Sequence, residues 1–164
     1  MSRKSPGGAA CAVVIEHLAQ HHDAIPLVAS WAQQQWGHLA PEITLEQRTA
    51  FFARRVTPGQ IPEMLVAVVA GQVVGMASIV TNDLSSRPDL TPWMAAVYVT
   101  PEQRGRGIGS LLVQAILTEA RRLELPRLYL ITPDKMAFYA RLGWREMGKV
   151  EYRGELVTVM YYDL

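Results

Sequence analysis

Between Val97 and Leu112 the chain reads VYVTPEQRGRGIGSLL, which demands a strand, a tight loop and a helix in immediate succession. Val97, Tyr98 and Val99 favour an extended strand. Pro101, unable to donate to a sheet ladder, closes it. Glycines then stand at 105, 107 and 109, with arginines at 104 and 106. From Ile108 the apolar residues recur at helical spacing. A helix start exposes unpaired N–H groups and carries partial positive charge. Glycine lets the backbone take positive φ and approach a ligand closely, and arginine adds fixed charge and forked donors. Arg104, Gly105, Arg106, Gly107, Ile108, Gly109 and Ser110 therefore read as a cradle for a phosphate or diphosphate.

Spacing decides which kind of cradle. The dinucleotide pattern G-x-G-x-x-G fails, because the sixth position is Ser110 counted from Gly105 and Leu112 counted from Gly107. The nucleotide-triphosphate loop fails because no lysine follows the glycines. What remains is Arg104-x-x-Gly107-x-Gly109, entered from Tyr-Val-x-Pro. This resembles the acyl-coenzyme-A-binding segment of the GNAT acetyltransferase superfamily. A second stretch, Phe138-Tyr139-Ala140-Arg141-Leu142-Gly143-Trp144, resembles the same superfamily's aromatic-Tyr-x-x-x-Gly-aromatic signature.

The resemblance implies an acetyl-CoA-dependent N-acetyltransferase working by direct attack of a primary amine in a ternary complex. Acetyl-CoA is then the co-substrate, and no metal is expected. Tyr139 takes the place of the general acid that protonates the departing sulfur; a phenol with an ordinary pKa near ~10 can supply that proton. The backbone of Val97, Tyr98 and Val99 would pair with the pantetheine arm, the Val97 N–H would face the acetyl carbonyl oxygen, and the amides of 104–110 would hold the diphosphate. Two positions depart from the family pattern. Thr132 stands where many relatives have Asn, and the strand at 93–99 has no carboxylate to serve as base. Asp83, Asp89 or a chain of waters would supply it. A non-catalytic acyl-CoA-binding or sensor module of the same fold is the alternative. A nucleotide-binding switch protein would need a metal site and a loop lysine.

The bulk properties fit. The 164 residues suit one domain, taken as 12–164 behind a mobile tail at 1–11. A net charge of +1 gives no global field for nucleic acid or an anionic membrane, so the loop arginines must act on something small. Cys11 is the only cysteine, which excludes an internal disulfide and fits a reducing, cytoplasmic setting. It lies far in sequence from both motifs and reads as a bystander. No apolar run approaches the ~20 residues of a membrane helix.

Periodicity gives strands at 12–16, 63–70, 72–81, 93–99, 127–131, 144–151 and 155–162, and helices at 23–36, from Thr44, 108–123 and 134–142. Asp23 is the expected cap of the first helix, and Gly75 a candidate bulge. The order β, α, α, β-β-β, α, β, α, β-β predicts an α/β (α+β) fold. It has a mixed, mostly antiparallel sheet of about seven strands, one parallel βαβ crossover, and helices on both faces. His17 and His21 are spaced to share a helical face, but no third ligand is evident for a metal. The resemblance implies that the amine acceptor, a small molecule or a peptide, would meet the first two helices and the loops beside the last strands, segments that carry Trp31, Trp36, His38, Trp93 and Tyr152. No pattern specifies a homodimer, though the last strands leave room for one.

Overall fold

The computed structural model describes residues 11–164. The expected tail lies outside them except for Cys11, which is exposed. Strands β1 (Val13–His17), β2 (Glu63–Val69), β3 (Gln72–Val80), β4 (Trp93–Val99), β5 (Arg127–Thr132), β6 (Arg145–Tyr152) and β7 (Glu155–Asp163) form one sheet. Its order is β1-β2-β3-β4-β5-β7-β6. Only β4 and β5 run parallel, because α3 (Ile108–Arg122) crosses between them. The remaining helices are α1 (Ile25–Trp36), α2 (Leu45–Ala53) and α4 (Met136–Arg141).

Helices cover both faces. Met64, Val66 and Val68 of β2 pack with α1, while Leu65 and Ala67 pack with α3. This explains why β2 reads as an unbroken apolar run rather than an alternating one. On the α1 side, Leu84 and Leu90 from the β3–β4 connection extend the cover over Trp93 and Val159. On the other side Ile108, Leu112, Val113, Ile116, Leu117 and Ala120 of α3 meet the sheet. Leu111 of the same helix is 45% exposed, whereas Glu119 is buried.

Local chemistry sets the ends. Thr44 and Gln47 form a reciprocal capping box on α2, at 3.1 and 2.9 Å. Asp23 does not cap α1; it sits in a short 3-10 turn, and α1 starts behind Ala24 with Pro26 in its first turn. His17 and His21 do not share a helix either. His17 ends β1, and His21 follows a 3-10 turn and meets Glu16 Oε2 at 2.5 Å.

The pairings of β3 carry two irregularities. Ala67 pairs with Gly75 but Val68 with Val73, so Val74 is an extra residue beside Gly75, where the bulge was expected. Across β3 and β4, Met76 pairs with Tyr98 and Ser78 with Ala95, so Ala96 and Val97 together face Ala77. Ala96 takes φ +56°, in the left-handed region. This second bulge resets the alternation of β4. Before it Trp93 and Ala95 face the α1 side and Met94 faces α3; after it Ala96 and Tyr98 face α1, and Val97 and Val99 face α3.

Candidate active site

Beyond the bulge, β4 and β5 part. Their register holds a single pair, Trp93 with Tyr129, so the backbone of Val97–Val99 has no ladder partner on the β5 side. Val97 also lies within the bulge, outside the β3 register. Backbone N–H and C=O groups demand partners. A strand parted from its neighbour offers them to an extended ligand, which can add itself as a further strand.

The parted strand leads straight into the glycine turn. Arg104 Nε donates to the Val99 carbonyl at 2.9 Å, and its guanidinium lies 5.5 Å from the Tyr98 ring centre, so this arginine is folded back onto the strand. Gly105 and Gly107 take φ +75° and +79°. A Cβ at either would meet nothing within 4 Å, so it is the left-handed backbone, not space, that requires glycine. Gly107 caps α3 with no side-chain bond, leaving the first amides of the helix, from Ile108 to Ser110, to whatever lies beyond. Arg106 Nη1 donates to Gln103 Oε1 at 3.2 Å.

The second motif packs on the same helix start. A Cβ on Gly109 would touch Phe138 Cζ at 3.6 Å, so a small residue here lets α4 lie against the first turn of α3. Tyr139 is 9% exposed and belongs to the core cluster that contains Ile108 and Leu112. Its ring meets Phe138 edge-on at 5.0 Å and Trp144 at 6.2 Å. Burial, reinforced by the Asp134 charge, pushes its phenol up to about 12, so it stays protonated at neutral pH. Thr132 Oγ1 accepts from the Lys135 N–H at 2.9 Å and fixes the turn that begins α4.

The profile of the Acetyltransferase (GNAT) family matches residues 25–144. The chain belongs to the GNAT acetyltransferase family. It is an acetyl-CoA-dependent acyltransferase. Among curated proteins no sequence match is found. Solved GNAT structures share the fold over nearly the whole chain. The yncA protein of Salmonella typhimurium, solved with its cofactor acetyl-CoA, is 23% identical with TM-score 0.69, covering 93% of this chain and 94% of that one. A ribosomal-protein-alanine N-acetyltransferase from Brucella melitensis is 24% identical with TM-score 0.71, covering 92% and 99%. An aminoglycoside 6'-acetyltransferase of type Ii is 16% identical with TM-score 0.69, covering 92% and 96%.

For a GNAT enzyme the two acidic candidates now separate. Asp89 is exposed and gripped by Arg87 through both carboxylate oxygens, at 2.9 and 2.7 Å, which holds its carboxyl below the usual range. Asp83 lies beside Arg55, just past the end of α2. Burial outweighs that cation and pushes it up to about 6. Arg55 itself is lowered to about 10 by burial. On this face the floor between the two cores consists of Ala95 and Ala96, both partly exposed. Two contacts span the face's rim: His38 Nε2 lies 3.3 Å from Glu155 Oε1, and Arg153 Nη1 3.7 Å from Glu42 Oε1.

Sequence reasoning missed three things about this GNAT site. The bulge at Ala96 carries no residue signal, since alanine is not a residue that asks for positive φ. Arg104 bonds the strand rather than pointing freely outward. Cys11 is near the glycine turn after all, lining a cavity of about 430 Å³ with Gln103, Arg106 and Ile108. No helix among the described residues is long and apolar enough to cross a membrane.

Proposed function

We propose that this enzyme transfers the acetyl group of acetyl-CoA directly to a primary amine, on a small molecule or a peptide, within a ternary complex. The parting of β4 from β5 next to an uncapped helix start carries this reading. The diphosphate takes the amides from Arg104 to Ser110, with the helix end adding partial positive charge. The pantetheine arm pairs with the backbone of Val97, Tyr98 and Val99. The Val97 N–H, freed by the bulge, donates to the thioester oxygen and stabilises the oxyanion as it forms.

The amine comes from the α1 side, over Ala95 and Ala96. Its nitrogen attacks the thioester carbon, and the C–S bond breaks as the tetrahedral intermediate collapses. Tyr139 gives its proton to the leaving sulfur. Burial raises the phenol, and it raises a thiolate expelled into the same apolar surroundings as well, so the two stay matched. Asp83 takes the proton that the amine sheds. With its pKa near 6 it is mostly ionised at pH 7 yet basic enough to accept.

The test is incubation with acetyl-CoA and a panel of amines, following free thiol. Thiol release that depends on an amine supports transfer. Acetyl-CoA binding without amine-dependent release across the panel would leave a binding module and overturn the proposal.

A further inference from the structure

Well away from the glycine turn, three elements bring ionisable side chains together. His17 ends β1, Glu63 begins β2, and Glu119 lies on α3, about 18 Å along the helix from Gly107 at 1.5 Å per residue. One ligand atom from each lies within 4.8 Å of the others. His17 Nδ1 is 3.1 Å from Glu63 Oε1. Glu63 is 2% exposed and Glu119 9% exposed, while the His17 side chain is 29% exposed and opens one side of the cluster.

The bonding around Glu63 is incomplete. Its Oε1 also accepts from the Gly59 N–H at 3.0 Å, but its Oε2 is buried with no hydrogen-bond partner. An unsatisfied buried carboxylate oxygen costs more than an ordinary unpaired polar group. Charge is incomplete too. Arg122 Nε donates to Glu119 Oε1 at 2.8 Å and offsets one of the two carboxylates. With both carboxylates ionised and a neutral imidazole, the cluster is one positive charge short. Burial raises the Glu63 carboxyl, with its neighbour Glu119 adding to the rise, and the Arg122 bond lowers that of Glu119, so two unlike carboxyls are pressed together here.

We infer that His17, Glu63 and Glu119 form a divalent-cation site for a transition metal such as Zn²⁺. One imidazole and two carboxylates make a suitable donor set, with a fourth position left to solvent on the His17 side. Bonds of about 2.1 Å place tetrahedral donors about 3.4 Å apart, a spacing that small side-chain shifts reach from a cluster whose His17–Glu63 pair is at 3.1 Å and whose donor atoms all lie within 4.8 Å. Arg122 then orients the Glu119 carboxylate from behind. The ion ties β1 and β2 to α3, so its effect is on stability rather than on acetyl transfer.

The experiment uses chelator-treated full-length protein carrying Cys11→Ser, titrated with Zn²⁺ by calorimetry and with Co²⁺ by visible absorption. One equivalent is expected to bind with a micromolar or tighter Kd, and Tm to rise with metal. Glu63→Gln and His17→Asn should each weaken binding at least a hundredfold and abolish the Tm rise, while His21→Asn and His38→Asn leave both unchanged. Glu119→Gln serves if Glu63→Gln does not fold. No binding to the parent protein, or equal binding by the folded His17 and Glu63 variants, would overturn the site.

Discussion

Replacing Gly107 separates backbone strain from charge at the glycine turn, where the proposed function seats the diphosphate. Gly107 has φ +79° and space for a Cβ. Gly107→Ala therefore incurs only the left-handed penalty, about 1–2 kcal/mol, which lowers Tm by about 2–8 °C in a chain of this size. Gly107→Glu adds the same strain and a carboxylate. At about 5 Å from a diphosphate bearing two charges, with an effective dielectric of about 40 at this exposed turn, the repulsion is about 3 kcal/mol. That is more than a hundredfold in Kd. Calorimetric titration with acetyl-CoA should show Gly107→Ala within about tenfold of the parent, Gly107→Glu weakened beyond a hundredfold, and part of that loss recovered in high salt. If Gly107→Glu binds acetyl-CoA within about threefold of Gly107→Ala, the diphosphate does not sit at this turn.

Four further outcomes follow. Tyr139→Phe should lower kcat about a hundredfold and leave acetyl-CoA affinity within about twofold, read by steady-state kinetics and calorimetry; unchanged kcat would make Tyr139 a packing residue. The parent's kcat/KM should climb as pH rises through about 6, and Asp83→Asn should lower it and flatten that limb. Asp83 also leaves a stability signature. Its folded pKa of about 6 exceeds the model-compound 3.8, so the folded chain holds the extra proton between them. Stability from this group is then full below 3.8 and lost as pH rises towards about 6, a slope that Asp83→Asn should lack in thermal melts. Gly75→Ala would place a Cβ 2.9 Å from the Tyr98 carbonyl oxygen and 3.1 Å from Leu112 Cδ1. Backbone cannot yield as a flexible side chain does, so the fold should lose about 1–3 kcal/mol, measured by denaturant melts.

Local signals announced most of the architecture. Pro101 and the glycines fix the end of β4 at Val99 and the start of α3 at Ile108, as expected, and the αL need of Gly105 and Gly107 is written in their identity. Features set by distant partners were invisible. Alanine at 96 accepts positive φ only because Ser78 and Met76 hold the strand on either side of the bulge. Glu119 sits on a helix whose polar residues normally face water; its buried position is set by Glu63 and His17 on two strands, and Arg122 offsets its charge. Asp83 and Asp89 look alike in a polar connection. Burial of Asp83 outweighs its Arg55 neighbour and raises it, whereas Arg87, two residues away, grips the exposed Asp89 and lowers it.

The lone Trp93–Tyr129 pair makes the sheet two leaves joined at a seam, β1 to β4 on one side and β5, β7 and β6 on the other. On the proposed reading, the coenzyme arm supplies the rungs that the seam lacks. Cohesion between the leaves is then partly borrowed from the ligand, so tighter cofactor binding and more concerted unfolding are two views of one free energy.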